Sequence, residues 1–244
     1  MTTSKTRSIV SLCFETNADF NTNLDRLITL IGQSSEDAII VAPEVALSGF
    51  SYEHFDEAAA FTPHALEKLA QHVQNRLLIF TAIAKEGEDF YNIAYALHQG
   101  KILHRQAKAK LFALGSEHEY FTPGEEGTIA PFIFEGIKIG ILICFELRFK
   151  TLWQQLEGCD IIAVPAQWGK LRTDHYITLT TALAVMNQCY VIASDAANDD
   201  TTAMSGIITP FGGEIRNSGA EALTSHYEAR TVDSMRRYLN VGIK

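Results

Sequence analysis

Three residue types that together perform acyl transfer stand at separate points of the sequence: an acid, a cation and a thiol. Glu44 follows an apolar run at residues 38–42, Lys108 lies in a basic segment, and Cys144 follows an apolar run at residues 137–143. A cysteine reacts as its thiolate, and a nearby cation lowers the pKa of the thiol. A cation also stabilises the oxyanion that forms when a thiolate adds to a carbonyl, and an acid can carry the thiol proton to a leaving amine. This combination is typical of acyl transfer through a thioester.

Each of these residues alone has an ordinary structural explanation. A single cysteine at the end of a strand is more often a buried thiol without chemistry. A glutamate that begins a loop is more often a helix cap or a solvated charge. The basic segment from Arg105 to Lys110 could equally be a solvated loop or a weak phosphate site. Only the combination favours a catalytic interpretation.

The elements that would position these residues alternate between apolar runs and amphipathic stretches. Because ligands collect at the carboxyl ends of strands in open α/β sheets, Glu44 and Cys144 could face one crevice. The alternation predicts a mixed sheet with helices outside it and, since no linker interrupts the pattern, one domain over residues 1–244. The predicted strands are 7–14, 38–42, 77–84, 92–97, 101–104, 137–143, 161–164 and 191–194; the predicted helices are 20–31, 64–76, 151–156 and 173–187; a further hairpin is predicted over 205–215.

Composition limits the class of protein. The chain has 244 residues, 47% of them hydrophobic and 20% charged, which is typical of a globular protein. Its net charge of −9 argues against nucleic acid as a partner. No run of about 18 apolar residues is present, so no membrane span is expected. Residues 1–7 are polar, and the four cysteines form no CxxC pair, so we expect a cytoplasmic protein with reduced thiols.

The motifs around these residues resemble those of the nitrilase, or carbon–nitrogen hydrolase, superfamily. Three weak motifs occur in the order that the family has them, and two later segments extend the resemblance through nearly the whole chain. They are Pro43-Glu44 with Ser48-Gly49-Phe50, Lys108-x-x-Leu111-Phe112, Gly140-x-x-Ile143-Cys144-Phe145-Glu146-x-Arg148-Phe149, Pro165-Ala166-Gln167-Trp168 and Asn187-Gln188-Cys189-Tyr190-Val191.

The resemblance implies an α/β fold of the nitrilase type, an αββα sandwich with mixed sheets and outer helices, commonly paired into homodimers or larger assemblies. It also implies that Glu44 is the general base and Cys144 the nucleophile. Lys108 and the backbone N–H of Phe145 would stabilise the oxyanion. Glu117, followed by Phe121-x-x-Gly124, matches the family's second glutamate, which helps to position the base, the lysine and the water. The implied partners are a small amide and water, with no metal and no organic cofactor.

Three assignments near the motifs have alternatives. Lys110 stands where the family usually has histidine and is the rival for the catalytic lysine; two neighbouring lysines would also push the pKa of one of them down. Glu119 is the alternative to Glu117. A papain-like pair would use His118 or His175 as the base of Cys144. The histidines show no HxH or HExxH spacing, so we expect no zinc site.

Substrate contacts are predicted from residue type and position. Trp168, Tyr52 and Phe145 could line the pocket or simply pack. Arg148 could meet a substrate carboxylate or belong to a structural ion pair. The other three cysteines, Cys13, Cys159 and Cys189, are predicted to lie in the core.

One segment departs from the family pattern. The usual Ala-Arg-Ala-x-Glu-Asn occurs here as Ala182-Leu183-Ala184-Val185-Met186-Asn187, so an arginine and a glutamate are replaced together by Leu183 and Met186. Such a change suggests a lost ion pair replaced by apolar packing, which can be neutral for stability.

The leading hypothesis is hydrolysis of a small linear amide, with the ω-amide of a short dicarboxylate favoured because the segment from Lys108 to Gly124 resembles that branch of the family. Alternatives within the family are an N-carbamoyl-amine hydrolase and a nitrilase. A catalytically silent member that serves as a binding or assembly module is the alternative of a different class.

Overall fold

The computed structural model describes residues 6–217 and 219–243 and contains two β-sheets with helices on their outer faces. The strands are β1 (Thr6–Leu12), β2 (Ile39–Val41), β3 (Leu77–Glu86), β4 (Asp89–His98), β5 (Lys101–Ala107), β6 (Phe132–Phe134), β7 (Ile137–Ile141), β8 (Ile161–Ala166), β9 (Tyr190–Asp195), β10 (Gly206–Ile208), β11 (Glu214–Arg216) and β12 (Ala222–Glu228). The helices are α1 (Phe20–Gln33), α2 (Phe55–Val73), α3 (Glu117–Tyr120), α4 (Lys150–Gln155), α5 (Thr173–Asn187) and α6 (Ala229–Tyr238).

Each sheet has three parallel strands at its centre and antiparallel strands at its edges. The first sheet has the order β12-β1-β2-β3-β4-β5, with β1, β2 and β3 parallel. The second has the order β11-β10-β9-β8-β7-β6, with β7, β8 and β9 parallel. The parallel strands of both sheets therefore end at an edge where loops can carry a site.

Alternation along the strands of the first sheet divides its side chains between two layers of core. Ile9 and Ile39 face the second sheet and share its core. Val10 and Ile40, one residue further along, pack against α1 and α2. Because successive side chains of a strand point to opposite faces, a strand covered on both sides needs an uninterrupted apolar run. That explains the run at residues 38–42.

The second sheet is covered by α4, α5 and α6. Leu152 of α4, Leu183 of α5 and Val232 of α6 lie in the same core cluster as the strands of this sheet. The layers are therefore helix, sheet, sheet, helix. This arrangement confirms the α/β class and the αββα sandwich that the resemblance implied.

The clearest differences from the sequence prediction concern α2 and the last part of the chain. The helix predicted over 64–76 begins earlier, at Phe55, and includes Pro63 inside it. The chain after residue 215, which was given no element, forms β12 and α6. β12 pairs with β1 along its whole length but has a largely polar, partly exposed sequence, so it lacks the apolar signature of a buried strand.

The sequence predicts no membrane span, and its residues 1–7 form a polar segment. Within the residues that the structure describes, no helix combines the length and the apolar character needed to cross a membrane. Of the polar amino-terminal segment, residues 1–5 lie outside the described residues.

Candidate active site

The predicted site residues come from both sheets and meet at one end of the sandwich. In the first sheet, Glu44 follows β2 and Lys108 follows β5 directly. In the second, Cys144 follows β7 and Gln167 follows β8 directly. The backbone N–H of Glu44 donates to the carbonyl oxygen of Ala166 at 3.2 Å, which joins the two strand ends.

Lys108 lies between two buried carboxylates. Its Nζ is 2.7 Å from Glu44 Oε1 and 2.7 Å from Glu117 Oε2. Burial alone would lower the pKa of Lys108, but the charges of Glu44 and Glu117 outweigh it and raise the pKa above its ordinary value. Lys108 therefore keeps its positive charge between the two carboxyl groups.

Lys110, the rival lysine, occupies a different environment. Its Nζ pairs with Glu126 and lies 4.8 Å from the centre of the Phe149 ring. The structure thus brings Lys108, and not Lys110, to Glu44. The expectation that two adjacent lysines would lower the pKa of one is wrong for Lys108, because its carboxylate partners dominate.

The Glu44 carboxylate is held by three donors. Oε1 accepts from Asn92 Nδ2 at 2.8 Å as well as from Lys108, and Oε2 accepts from the backbone N–H of Gln167 at 3.2 Å. The next residue, Val45, has a φ of +43°, which is rare for a β-branched side chain. Its N–H donates to Thr81 Oγ1 at 2.6 Å, which fixes this strained turn behind the carboxylate.

Cys144 begins a short 3-10 turn, Cys144–Arg148, with a φ of +46°. Its Sγ lies 3.7 Å from the carbonyl oxygen of Gln167, and the Glu44 carboxyl group is close enough to act on the pKa of the thiol. Burial and then the charge of Glu44 raise the pKa of the thiol well above its ordinary value. Lys108 lowers this pKa as expected of a nearby cation, but burial and the charge of Glu44 outweigh it. A protonated thiol needs a base, and Glu44 is the carboxyl group whose charge acts most strongly on it.

Glu146 is a buried residue of the site to which the sequence analysis gave no role. Its Oε1 accepts from the N–H of Ala109 at 2.7 Å, and its Oε2 accepts from the N–H of Ile143 at 2.7 Å. Burial raises the pKa of this carboxyl to about 7. Glu146 therefore connects the residue after Lys108 to the residue before Cys144. Its place in the Cys-x-Glu motif was the only available signal.

The histidines proposed as alternative bases do not contact the thiol. His118 lies on α3 with its side chain exposed, and His175 Nδ1 is 3.0 Å from Arg148 Nη2. Glu119, the alternative to Glu117, is exposed, whereas Glu117 is buried against Lys108.

A small cavity opens onto Cys144. Three predicted contact residues line it, Phe145, Arg148 and Trp168, together with the unpredicted Phe112 and Arg172. Arg148 lies 4.9 Å from the centre of the Trp168 ring and forms no ion pair with a carboxylate among the described residues, so it is not part of a structural ion pair there.

Tyr52 lies outside this cavity. Its hydroxyl donates to the carbonyl oxygen of Gly115 at 2.8 Å, and its ring stacks on Tyr120 with the ring centres 4.1 Å apart. Burial, followed by the charges of Glu117 and Glu44, raises the pKa of the Tyr52 hydroxyl. The Tyr52 hydroxyl thus holds the loop that carries Glu117, and its ring packs on Tyr120.

Comparison with known proteins places this geometry in a family. Residues 8–220 match the family model described as carbon-nitrogen hydrolase. The chain belongs to the carbon–nitrogen hydrolase family. It is thereby a hydrolase that acts on carbon–nitrogen bonds, as the motifs predicted.

Named relatives of this carbon–nitrogen hydrolase include two amidases. A 2-oxoglutaramate amidase of Bacillus subtilis (strain 168) is 28% identical over 211 residues, which are 82% of this chain and 81% of that protein. The omega-amidase YafV of Escherichia coli (strain K12) is 27% identical over 206 residues, 82% of this chain and 80% of that one. The crystal structure of XC1258 from Xanthomonas campestris, a CN-hydrolase superfamily protein, has a TM-score of 0.84 at 22% identity and covers 97% of this chain and 96% of that chain.

The hydrolase departs from its family pattern at two positions with different surroundings. Leu183 is fully buried and packs in the core, as expected for a replaced ion pair. Met186 is 65% exposed, so it gains no such packing within the chain. The other three cysteines are buried and unpaired, as predicted. Among the described residues, no group of three or more His, Cys, Asp and Glu side chains is arranged to hold a metal ion.

Proposed function

We propose that this hydrolase cleaves a small linear amide through an acyl-enzyme on Cys144 and releases ammonia and a carboxylic acid. The observation that carries the proposal is the buried arrangement of Glu44, Lys108 and Glu117 against a protonated thiol. Burying two carboxylates and an ammonium is costly, and such clusters of perturbed groups in a cavity concentrate at catalytic sites.

The first half-reaction uses Glu44 as the base. Its carboxylate takes the Sγ proton of Cys144 as the sulfur bonds to the amide carbon, and the carbonyl π electrons move to oxygen. Lys108 Nζ and the N–H of Phe145 stabilise this oxyanion. Phe145 lies in the first turn of a 3-10 segment, where backbone N–H groups lack partners within the turn. Glu44 then gives its proton to the departing nitrogen, and ammonia leaves a thioester.

The second half-reaction replaces sulfur by water. Glu44 takes a proton from water as its oxygen adds to the thioester carbon, and Lys108 again stabilises the oxyanion. Collapse of this intermediate breaks the C–S bond, releases the carboxylic acid and returns the proton to the thiol. Glu117 holds Lys108 in place, and its own Oε2 is anchored by the N–H of Phe112 at 3.0 Å.

The favoured substrate is the ω-amide of a short dicarboxylate. The names of the relatives, 2-oxoglutaramate amidase and omega-amidase, support this choice, although each shares under a third of its residues with this chain. Arg148 at the cavity supports it as well, because a guanidinium binds a carboxylate through paired hydrogen bonds. An N-carbamoyl amine or a nitrile remains the alternative substrate within the family.

Domain organisation, assembly, partners and cellular location are proposed as follows. We propose one domain that pairs into a homodimer or larger assembly, with no metal or organic cofactor and no nucleic-acid partner. Val185 and Met186 of α5 are exposed apolar residues, with Val185 beside Gly212, and supply a surface for pairing. A cytoplasmic location is proposed because Cys144 must stay a free thiol to react.

Ammonia release tests the proposal. Cys144→Ala and Glu44→Gln should abolish it with succinamate, the monoamide of a four-carbon dicarboxylic acid, while circular dichroism shows an intact fold. Lys108→Met should also abolish it, and Lys110→Met is the matched control because that lysine pairs with Glu126 outside the cluster. Turnover by Cys144→Ala would overturn the mechanism.

Two further measurements separate the alternatives. An N-carbamoyl amino acid and an aliphatic nitrile, assayed beside succinamate, distinguish the three substrate classes by relative kcat/KM. Iodoacetamide labelling distinguishes an enzyme from a silent module. Selective labelling of Cys144 that Glu44→Gln suppresses supports the enzyme, and labelling without preference for Cys144 favours the module.

A further inference from the structure

We infer that Arg172 is a specificity-determining residue, which together with Arg148 forms a binding site for a carboxylate carried by the amide substrate. This inference rests on the proposed amide hydrolysis and adds the residue that selects for a charged substrate. Arg172 closes a 3-10 turn, Lys170–Arg172, on the loop between β8 and α5.

The two arginines share the cavity that opens onto Cys144. Both are half-buried, and neither forms an ion pair with a carboxylate in the part of the chain that the structure describes. Two unneutralised guanidinium groups on one small cavity repel each other unless an anion lies between them. Their planar donor sets match the two oxygens of a carboxylate.

Aromatic rings hold both guanidinium groups. Arg148 Cζ lies 4.9 Å from the centre of the Trp168 ring, and Arg172 Cζ lies 5.0 Å from the centre of the Phe112 ring. Stacking uses the face of a guanidinium and leaves the N–H groups at its edge available. The rings therefore orient both arginine side chains, and no N–H group of either is used in an ion pair with a carboxylate among the described residues.

Backbone contacts fix the position of Arg172 beside the cavity. Trp168 Nε1 donates to the carbonyl oxygen of Arg172 at 2.9 Å, and the N–H of Arg172 donates to the carbonyl oxygen of Gly169 at 2.9 Å. The side chain folds back so closely that a Cβ on Gly169 would lie 2.6 Å from Arg172 Nη2. Gly169 has an ordinary φ of −62°, so this glycine provides space and not an unusual backbone conformation.

Arg148 and Arg172 would counter the negative charge around the site. Behind the thiol, Glu44 and Glu117 place two carboxyl groups around one ammonium, in a chain whose net charge is −9. The negative charge of the chain disfavours the approach of an anionic substrate. Two arginines at the cavity reverse this charge locally, and they favour amides that carry a carboxylate over neutral amides of the same length.

Kinetics with a matched pair of substrates test the inference: succinamate carries the carboxylate, and butyramide is the neutral amide with the same number of carbon atoms. Arg172→Gln should raise KM for succinamate roughly 10- to 100-fold, the value of a hydrogen-bonded charge pair, and leave KM for butyramide unchanged. Lys170→Gln, which removes one exposed charge from the same turn outside the cavity, should change neither.

Gly169→Ala provides a second variant that keeps the charge. The added Cβ would displace the guanidinium of Arg172, while alanine accepts the backbone conformation of Gly169. It should raise KM for succinamate in the same direction as Arg172→Gln, with butyramide again unchanged. Equal effects on both substrates in Arg172→Gln would mean that Arg172 only supports Phe112, and would overturn the inference. Absence of hydrolysis of any amide by the unmodified enzyme would instead contradict the proposed function.

Discussion

Glu146 shows how a single buried side chain can set the geometry of two reacting groups. Its two oxygens accept from the N–H groups of Ala109 and Ile143, so it positions Lys108 and Cys144 without contacting the substrate. In Glu146→Gln one oxygen becomes an NH₂ group that faces an N–H donor. We expect the free energy of unfolding to fall by about 1–3 kcal/mol and kcat to fall roughly 10- to 100-fold, with KM little changed.

The readouts for Glu146→Gln separate positioning from general destabilisation. Urea unfolding gives the stability loss, and steady-state kinetics well below the unfolding temperature give kcat and KM. The rate at which iodoacetamide alkylates Cys144 should fall with kcat, because the thiol and its base are displaced together. Glu157→Gln, an exposed residue after α4, is the control. A destabilised variant with unchanged kcat and unchanged alkylation would leave Glu146 a purely structural role.

At the scale of single residues, the sequence predicts those whose residue type and motif position both indicate catalysis. It misses residues whose role depends on contacts made only in the folded chain. Glu44 and Cys144 stand directly after apolar runs, and the Leu111-Phe112 register selected Lys108 over Lys110. Arg172 gave no such signal, because its role depends on a turn that folds back over Gly169. The raised pKa of Cys144 was also missed, since burial is a property of the folded chain.

The loop after α3 holds the backbone of Lys108 in place. The N–H of Gly124 donates to the carbonyl oxygen of Lys108 at 2.8 Å, and a Cβ on Gly124 would lie 2.6 Å from the backbone oxygen of Ala107. A backbone atom cannot move aside as a flexible side chain can. We therefore expect Gly124→Ala to cost about 1–3 kcal/mol of stability and to reduce kcat by shifting Lys108.

Gly127→Ala is the matched control for this loop. It lies three residues further along, and nothing is within 4 Å of the place its Cβ would occupy. We expect its stability to change by less than about 0.5 kcal/mol and its activity to match that of the unmodified enzyme. Thermal unfolding and ammonia release, measured for both variants side by side, check the pair. Equal behaviour of the two variants would show that the Gly124 contact does not support the site.

Element prediction succeeded where burial and periodicity agree. α5 was predicted over its observed range, and the hairpin after residue 205 forms as β10 and β11. It failed for β12 and α6, whose sequences are mostly polar. Their positions are decided by pairing with β1 and by packing against the second sheet, which are long-range contacts that no local pattern reports.

At the scale of the whole molecule, the site exists only because two sheets pack face to face. Glu44 and Lys108 belong to the first sheet, while Cys144 and Gln167 belong to the second. The shared core that includes Ile9 and Ile39 therefore holds the base against the nucleophile. The same close packing buries carboxylates in the second sheet, and this makes stability depend on pH.

Asp195, at the end of β9, carries the clearest pH dependence outside the catalytic cluster. Its Oδ1 accepts from the N–H of Trp168 at 2.7 Å and its Oδ2 accepts from Thr202 Oγ1 at 2.6 Å, but burial still raises its pKa from 3.8 to about 7. Between these two values the folded state binds more protons than the unfolded state. The free energy of unfolding therefore falls as pH rises through this window and levels off above about pH 7.

Asp195→Asn removes this titration, and its stability should therefore fall less than that of the unmodified protein as pH rises from 5 to 8. We expect the difference between the two curves to change by about 2 kcal/mol over that range, as measured by urea unfolding at each pH. Asp199→Asn, on the exposed loop after β9, is the control and should follow the unmodified curve. Other buried carboxyls, such as Glu146, contribute equally to all three proteins and cancel in the comparison. Parallel curves for Asp195→Asn and the unmodified protein would contradict the assignment, because the folded state would then hold no extra proton at Asp195.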